Sequence, residues 1–519
     1  MLKFFKRKQE SLDKADLAIL VTGISAFAAV AFHNISKSSI WFDEAFGAYL
    51  VRFNFWDIAR YTANDVHPPL YYWLLQAWTA VFGTSELGLR SMSVFFAVIA
   101  IIFAFLLVRK WFGRHVAAIS LAVMIFTPFF VRYAQEARMY TMVAAIVFAA
   151  TYVMIHAMES KKRKLWVLYG VLVGLGMLTH YFAALAWLTH WLWRFVSLKL
   201  DNVKPKKILA AFFNKDWILA HAVAVGVFAV WIPAFLYQLL NVQGNGFWIS
   251  PVTPGTLPNF MTSVVYYLEL ADVQSWFALL YTAFFVTLIV LIIRVFKTLK
   301  TEQKKQYLLI LFLAIIPPLL LFVLSMPPLR PSFVDRYVVP SSLAIMLLVG
   351  VTIGLGRHVF GKRQLLILAV TLFGILFYGL SNVYRLGNYN NTLHTANGSR
   401  LIIEAIDAKA ANGEPIIADS PWLYYEIAFY STAEHPVYFI NANTEYRYGS
   451  LEMLRQNDIG KIKDLRAFTK EHNTVWYVGR PGDRDLTAPS AGWQKLQEVR
   501  VSDSHTGNKA YQAIQYSIP

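Results

Sequence analysis

Seven uncharged runs dominate the chain: Leu17 to Ser36, Ser91 to Val108, Met139 to Met158, Val273 to Ile293, Tyr307 to Leu329, Tyr337 to Gly356 and Gln364 to Tyr384. At roughly 1.5 Å per residue, each is long enough to cross a hydrocarbon core of roughly 30 Å. A segment in lipid must satisfy its own backbone N–H and C=O groups, so such runs fold as helices. Only 15% of the 519 residues are charged and 57% are hydrophobic, too few charges to solvate a soluble protein of this size. The expected fold class is a polytopic α-helical membrane protein.

The net charge of +17 would suggest a nucleic-acid partner in a soluble chain. Its distribution points elsewhere. Basic residues gather in alternate loops: Lys3 to Lys14; Arg109, Lys110 and Arg114; Lys161 to Lys164; Lys199 to Lys215; Lys297 to Lys305; and Arg357 to Arg363. This is the positive-inside pattern, so the N-terminus is expected in the cytoplasm of a plasma (inner) membrane protein, with no nucleic acid as partner. The first run lacks a small-residue cleavage site and reads as a retained helix. Leu165 to Trp193 has basic flanks on both sides, which requires a helical pair turning near Thr179, His180 and Tyr181. A seventh helix is expected over Trp217 to Leu240, followed by a neutral outside loop from Asn241 to Asp272, and Pro317 with Pro318 is expected to kink helix nine. About eleven spans result, and everything after Tyr384 is then extracytoplasmic. The absence of cysteine excludes disulfides, thiolate catalysis and Cys-based metal sites.

The reading divides the chain into a transmembrane part, 1–384, and a soluble α/β domain, 385–519. The first outside loop, about 35–90, holds two amphipathic stretches rich in Trp and Tyr, Glu44 to Phe53 and Leu70 to Phe82, which suit the headgroup plane. Past Tyr384, Pro415 to Ala418, Val437 to Ile440 and Val475 to Val478 read as strands. Leu401 to Ala411, Trp422 to Tyr430 and Leu451 to Gln456 read as helices between them.

Four polar clusters fall in the outside loops, where a charge at membrane depth is costly without a partner or a task. Asp43 and Glu44 follow Trp41 and Phe42; a half-desolvated carboxylate suits a general base, and an Asp in this place also suits a helix cap. Asp65 and His67 stand on a loop fixed by Pro68 and Pro69, able to bind a cation or a substrate hydroxyl. Arg132, Glu136, Arg138 and Tyr140 occupy a short turn, where a guanidinium can grip a phosphate with two parallel bonds, or only snorkel to the interface. Arg330, Arg336 and Tyr337 precede a late helix with the same chemistry, and His180 stands at the turn of the helical pair.

Taken in order, these clusters resemble the GT-C glycosyltransferases, in the bacterial branch related to protein O-mannosyltransferases and aminoarabinose transferases. The resemblance runs from about Asp16 to Ser381. It rests on Asp43-Glu44 after helix one, the stretch Asp65-Val66-His67-Pro68-Pro69-Leu70-Tyr71-Tyr72, the stretch Gln135-Glu136-Ala137-Arg138-Met139-Tyr140, and Arg336-Tyr337. It implies transfer of a sugar from a polyprenyl-phosphate donor to a protein, lipid or cell-envelope glycan, with inversion at the anomeric carbon. It also implies that Asp43 is the base and that arginines such as Arg138 hold the phosphate. No cofactor is obligatory; a divalent metal held by Asp43, Glu44, Asp65 and His67 is an option that some relatives use. A phosphate leaving group needs only its charge neutralised, and the chain has no Gly-rich phosphate cradle. The main rival is a transporter or flippase of a lipid or sugar. That class favours polar or broken helices at the midplane and two related halves, whereas the charges here lie in the outside loops.

Overall fold

A computed structural model describes residues 12–241, 249–268, 275–357, 359–386, 398–431, 434–440, 453–454, 460–480, 485–502 and 509–519. The basic residues Lys3 to Lys8, parts of the 241–272 loop and the helix expected over Leu451 to Gln456, apart from Met453 and Leu454, lie outside these residues. Along the chain run α1 (Lys14–Phe32), α2 (Phe42–Leu50), α3 (Phe55–Ala63), α4 (Leu70–Phe82), α5 (Glu86–Phe112), α6 (Arg114–Ile125), α7 (Pro128–Ala134) and α8 (Tyr140–Ser160). Then come α9 (Arg163–Thr179), α10 (Ala183–Leu200), α11 (Pro205–Phe212), α12 (Lys215–Ala229), α13 (Ile232–Asn241), α14 (Thr256–Tyr266), α15 (Ser275–Thr298), α16 (Thr301–Leu324), α17 (Val339–Gly356) and α18 (Lys362–Leu386). The C-terminal part adds α19 (Gly398–Asp407), β1 (Ile416–Ala418), α20 (Pro421–Tyr430), β2 (Val437–Ile440), β3 (Lys461–Ile462), α21 (Leu465–Glu471), β4 (Thr474–Gly479), β5 (Gln494–Ser502) and β6 (Lys509–Ser517).

Two compact units share these elements. The first comprises 1–33, 91–233 and 249–385; the second comprises 34–90, 234–248 and 386–519. The second unit therefore joins the first outside loop and the C-terminal α/β segment, which the sequence reading had treated separately.

Among the described residues, seven helices are long and apolar enough to span a bilayer, or up to nine if each of two bent pairs is one span. The bent pairs are α6 with α7, at 64°, and α11 with α12, at 41°. Helices α9 and α10 form the pair expected across Leu165 to Trp193, with His180 between them. The single span expected over Trp217 to Leu240 is instead broken after α12. Pro233 lacks an N–H and crowds the carbonyl four residues back, so α12 ends at Ala229 and α13 starts anew. Part of the expected neutral loop is helical, as α14. Pro317 and Pro318 lie inside the continuous helix α16.

Close helix contact in the first unit comes from glycines one turn apart. A Cβ on Gly350 would lie 2.4 Å from the Ser120 Cα, and one on Gly354 would lie 3.1 Å from the Val116 Cα, so α17 meets α6 backbone to backbone. Gly170 and Gly174 do the same for α9 on α12, with the Ala220 and Ala224 carbonyl oxygens 2.2 and 2.9 Å from the added atoms. Small residues at such spacing allow helices in lipid to gain dispersion contacts that bulkier side chains would block. At one end of this unit, Asp16 accepts from Arg109 at 2.7 Å and from Arg114 at 2.8 Å. That joins the start of α1 to the α5 to α6 turn.

In the second unit the sheet order is β3-β2-β1-β4-β6-β5. The first four strands are parallel, and β6 and β5 add antiparallel pairs. The strands expected from the sequence are β1, β2 and β4; β1 is buried throughout, as central parallel strands usually are, whereas β2 is fully buried only at Phe439. Helix α4 presents Leu74, Val81 and Phe82 outward, while α2 is buried from Glu44 to Leu50.

Candidate functional site

Asp43 stands in the first turn of α2, with Trp41 at the N-cap. Asp43 is therefore in the first turn rather than at the cap. Glu44, three residues after Trp41, turns back to the Trp41 N–H at 3.5 Å. Its two oxygens also receive Arg90 Nε at 2.9 Å and Arg90 Nη2 at 2.7 Å. Arg90 further donates to the carbonyls of Ile35, Ser38 and Ser39 at 2.7, 2.9 and 3.0 Å, so all five guanidinium N–H donors are placed. Both side chains are 1% exposed. An ion pair this buried is stable only with such complete hydrogen bonding. The pair holds the loop leading into α2 and leaves Asp43 half-buried in the next position.

Asp65 and His67 are brought together, with Oδ2 and Nδ1 at 3.4 Å. Asp65 also bears electrostatically on Tyr425, whose ring packs on Phe42, Phe46 and Tyr49. Burial pushes the Tyr49 and Tyr425 hydroxyls above the usual tyrosine range, so both stay protonated. Among the described residues, no group of three or more His, Asp or Glu is arranged to hold a metal ion.

The other candidates belong to the first unit. Arg132 and Glu136 pair across one helical turn at 2.5 Å, both 1% exposed. Arg132 Nε donates to the Tyr267 hydroxyl at 2.7 Å. Tyr267 closes α14 with φ 56°, a left-handed conformation that costs a non-glycine residue energy and directs its side chain to Arg132. Arg138 is buried as well; its N–H donates to the Glu136 carbonyl at 2.7 Å, and Ser93 Oγ donates to the carbonyls of Glu136 and Arg138. These bonds stiffen the turn between α7 and α8. Tyr140 packs edge-on to Tyr133 and His180, and His180 lies 4.9 Å from the Tyr337 ring. Arg336 is buried and within electrostatic reach of Tyr133, whereas Arg330 is exposed.

The structure thus gathers Arg132, Glu136, Tyr140, His180, Arg336 and Tyr337 around one aromatic and basic cluster. It places Asp43, Glu44, Asp65 and His67 in the second unit. Sequence reasoning missed Arg90, Tyr267 and Ser93. A lone Arg at the mouth of a span was the available signal for Arg90, and the other two carried none.

Residues 66–218 match the family described as dolichyl-phosphate-mannose-protein mannosyltransferase, a segment that includes His67, the α7 to α8 turn and His180. ArnT from Cupriavidus metallidurans in the apo state has a similar fold, with TM-score 0.64 and 14% identity, covering 96% of this chain and 98% of that one. ArnT bound to undecaprenyl phosphate gives TM-score 0.63 over the same shares, again at 14% identity. The archaeal oligosaccharyltransferase AglB from Archaeoglobus fulgidus, in complex with an inhibitory peptide and a dolichol-phosphate, gives TM-score 0.50 and 12% identity over 81% of this chain and 64% of that one. No curated protein matches the chain in sequence. The chain thus has a fold similar to that of ArnT, a segment similar to the mannosyltransferase family, and helices long and apolar enough for a multi-pass membrane protein.

Proposed function

We propose that this protein is an inverting glycosyltransferase that moves one sugar from a polyprenyl-phosphate carrier to an acceptor on the extracytoplasmic side of the membrane. The observation that carries the reading is the pair of buried arginines, Arg132 and Arg138, on a stiffened turn inside the segment that matches a mannosyltransferase family. A permanent, planar cation suits a phosphate that leaves with its electron pair. Structures of ArnT with undecaprenyl phosphate and of AglB with dolichol-phosphate support a lipid-phosphate carrier.

In the proposed reaction an acceptor hydroxyl oxygen attacks the anomeric carbon from the face opposite the phosphate. The new C–O bond forms as the bond to the phosphate oxygen breaks, and Asp43 takes the hydroxyl proton. Polyprenyl phosphate leaves as the anion, its charge met by arginines. Glu44 is committed to Arg90, so the proton is assigned to Asp43 rather than to Glu44. Asp65 and His67 are assigned to substrate hydroxyls, and no step requires a metal.

The test is incubation of the purified protein with undecaprenyl-phosphate-linked mannose, glucose and aminoarabinose, followed by measurement of released undecaprenyl phosphate. Release from one donor, abolished by Asp43→Asn, is the expected result. Binding of the donors with no release from any of them would remove this reading and leave a transporter or flippase.

A further inference from the structure

A groove of about 550 Å³ between α10 and α11, in the first unit, has no part in the proposed reaction. Trp191 and Phe195 of α10 line it, with Pro205, Leu209 and Phe212 of α11 and Phe213 just beyond, and every lining residue is hydrophobic. Helices α9 and α10 run as a hairpin, so the end of α10 returns to the end of the bundle at which α8 closes, the basic end.

The groove is a built feature of the helix packing. Arg194, buried on α10, donates from Nε to the Phe212 carbonyl at 3.0 Å and from Nη2 to the Ala211 carbonyl at 2.8 Å. The last carbonyls of a helix have no partner within it, so these two bonds close α11 and hold it against α10. The same guanidinium lies 4.6 Å over the Trp217 ring of α12. Trp191 is fixed by its own bond, from Nε1 to His221 Nε2 at 2.7 Å. With eight residues, α11 is about 12 Å long, too short to cross a bilayer, and it turns aside from α12 by 41°. Leu209 remains 71% exposed on the groove, a surface that suits a hydrocarbon chain and not water.

Charge identifies what that chain carries. Between Lys199 and Asp216 the sequence has five lysines against two aspartates, and Asp201 accepts from Lys305. Lys199 Nζ lies 4.5 Å from the centroid of the Phe195 ring, which lines the groove. Lys204 and Lys206 flank Pro205, and all three lysines are exposed. An apolar groove with ammonium groups at its rim is complementary to a lipid whose anion sits between its chains and water. A zwitterionic headgroup would bring a cation of its own to the same lysines.

We propose that this groove holds an acyl chain of an anionic phospholipid, drawn from the leaflet at this end of the bundle, with the lipid phosphate against Lys199, Lys204 and Lys206. The site does not depend on the transfer reaction or on Asp43.

The test uses the full chain in phosphatidylcholine nanodiscs, with added phosphatidylglycerol that carries a photoactivated diazirine in one acyl chain, and mass spectrometry of the labelled peptides. Labelling within 191–213 is expected, competed by unlabelled phosphatidylglycerol and not by the same amount of added phosphatidylcholine. Each lysine at an anionic lipid surface contributes about fivefold in affinity, so Lys199→Gln, Lys204→Gln and Lys206→Gln together should lower this labelling about 10-fold or more. Leu209→Asp, which puts a carboxylate into the groove, should lower it as well; if that variant does not fold, the lysine variant decides. Lys161→Gln, Lys162→Gln and Lys164→Gln together remove the same charge at the same end and should leave the labelling unchanged. Thermal unfolding of each variant reports an intact fold, and phosphatidylglycerol should raise the unfolding temperature of wild type but not of the first triple variant. Four results would each overturn the inference. They are no label within 191–213, equal losses in the two triple variants, equal competition by phosphatidylcholine, and stronger competition by undecaprenyl phosphate than by phosphatidylglycerol, which would make the carrier the occupant.

Discussion

Arg90 directs its five N–H donors at Glu44 and three carbonyls of the segment before α2, so its loss leaves a buried anion and several buried acceptors without partners. Removing one side of a buried pair typically costs about 3–5 kcal/mol. Arg90→Ala is expected to lower stability by that amount in thermal unfolding of the purified protein, and Arg90→Met with Glu44→Leu should cost less, because it leaves no charge behind. Asp43→Asn should act differently. With Trp41 at the cap, the change removes a proton acceptor but almost no volume and leaves the N-cap as it is, so turnover should fall by about two to four powers of ten, far more than stability changes. Arg138→Ala should weaken undecaprenyl phosphate binding by about one to two powers of ten, with Arg138→Lys restoring only part, since an ammonium lacks the two parallel donors. Equal affinity across wild type and both variants would take Arg138 out of the phosphate site. The sequence showed Asp43 and Glu44 as a pair but could not separate their roles. The separating residue, Arg90, lies 46 positions away.

Helix packing in the first unit supplies predictions of another kind. Gly350→Val would drive side-chain atoms into the α6 backbone at Ser120, where even a Cβ comes within 2.4 Å, and overpacking of that sort costs about 1–3 kcal/mol. Gly226 on α12 has nothing within 4 Å of an added Cβ, so Gly226→Ala should leave the unfolding temperature unchanged or raise it slightly. Comparable losses at both positions would mean that glycine matters here for flexibility rather than for close approach. The spans themselves were legible because lipid imposes length and apolarity on each helix separately. The breaks were less so: Pro233 marks the end of α12, yet the expected span ran through it to Leu240, and α3 and α14 carry no apolar run of their own and take their place from tertiary contacts. The β5 to β6 hairpin was missed because β5 is exposed or half-buried from Gln494 to Val501 and the buried run of β6 is interrupted by the polar Gln512.

At the scale of the molecule, the unsettled quantity is orientation, and the ion pairs of the first unit narrow it to one choice. Asp16 near the start of α1 binds Arg109 and Arg114, while Lys110 binds Glu159 at 2.5 Å, so the α5 to α6 turn and the end of α8 share one end with the start of α1. The far end of α1 is marked by other bonds: Gln135 Nε2 donates to the His33 carbonyl at 2.8 Å, and the Tyr384 hydroxyl donates to the Val30 carbonyl at 2.8 Å. Tyr384 and Lys110 therefore lie at opposite ends of the same bundle, whichever way it is inserted. The Lys110 end is expected to face the cytoplasm, because Lys and Arg accumulate in cytoplasmic loops. A phosphatase fused after Tyr384 is expected to be active, and a cytoplasmic reporter inserted at Lys162, in the α8 to α9 turn, should also be active. The opposite pair of results would invert the bundle and overturn the extracytoplasmic side assigned to the proposed reaction. Activity of both reporters at one position would instead break the parity argument for the α9 to α10 hairpin.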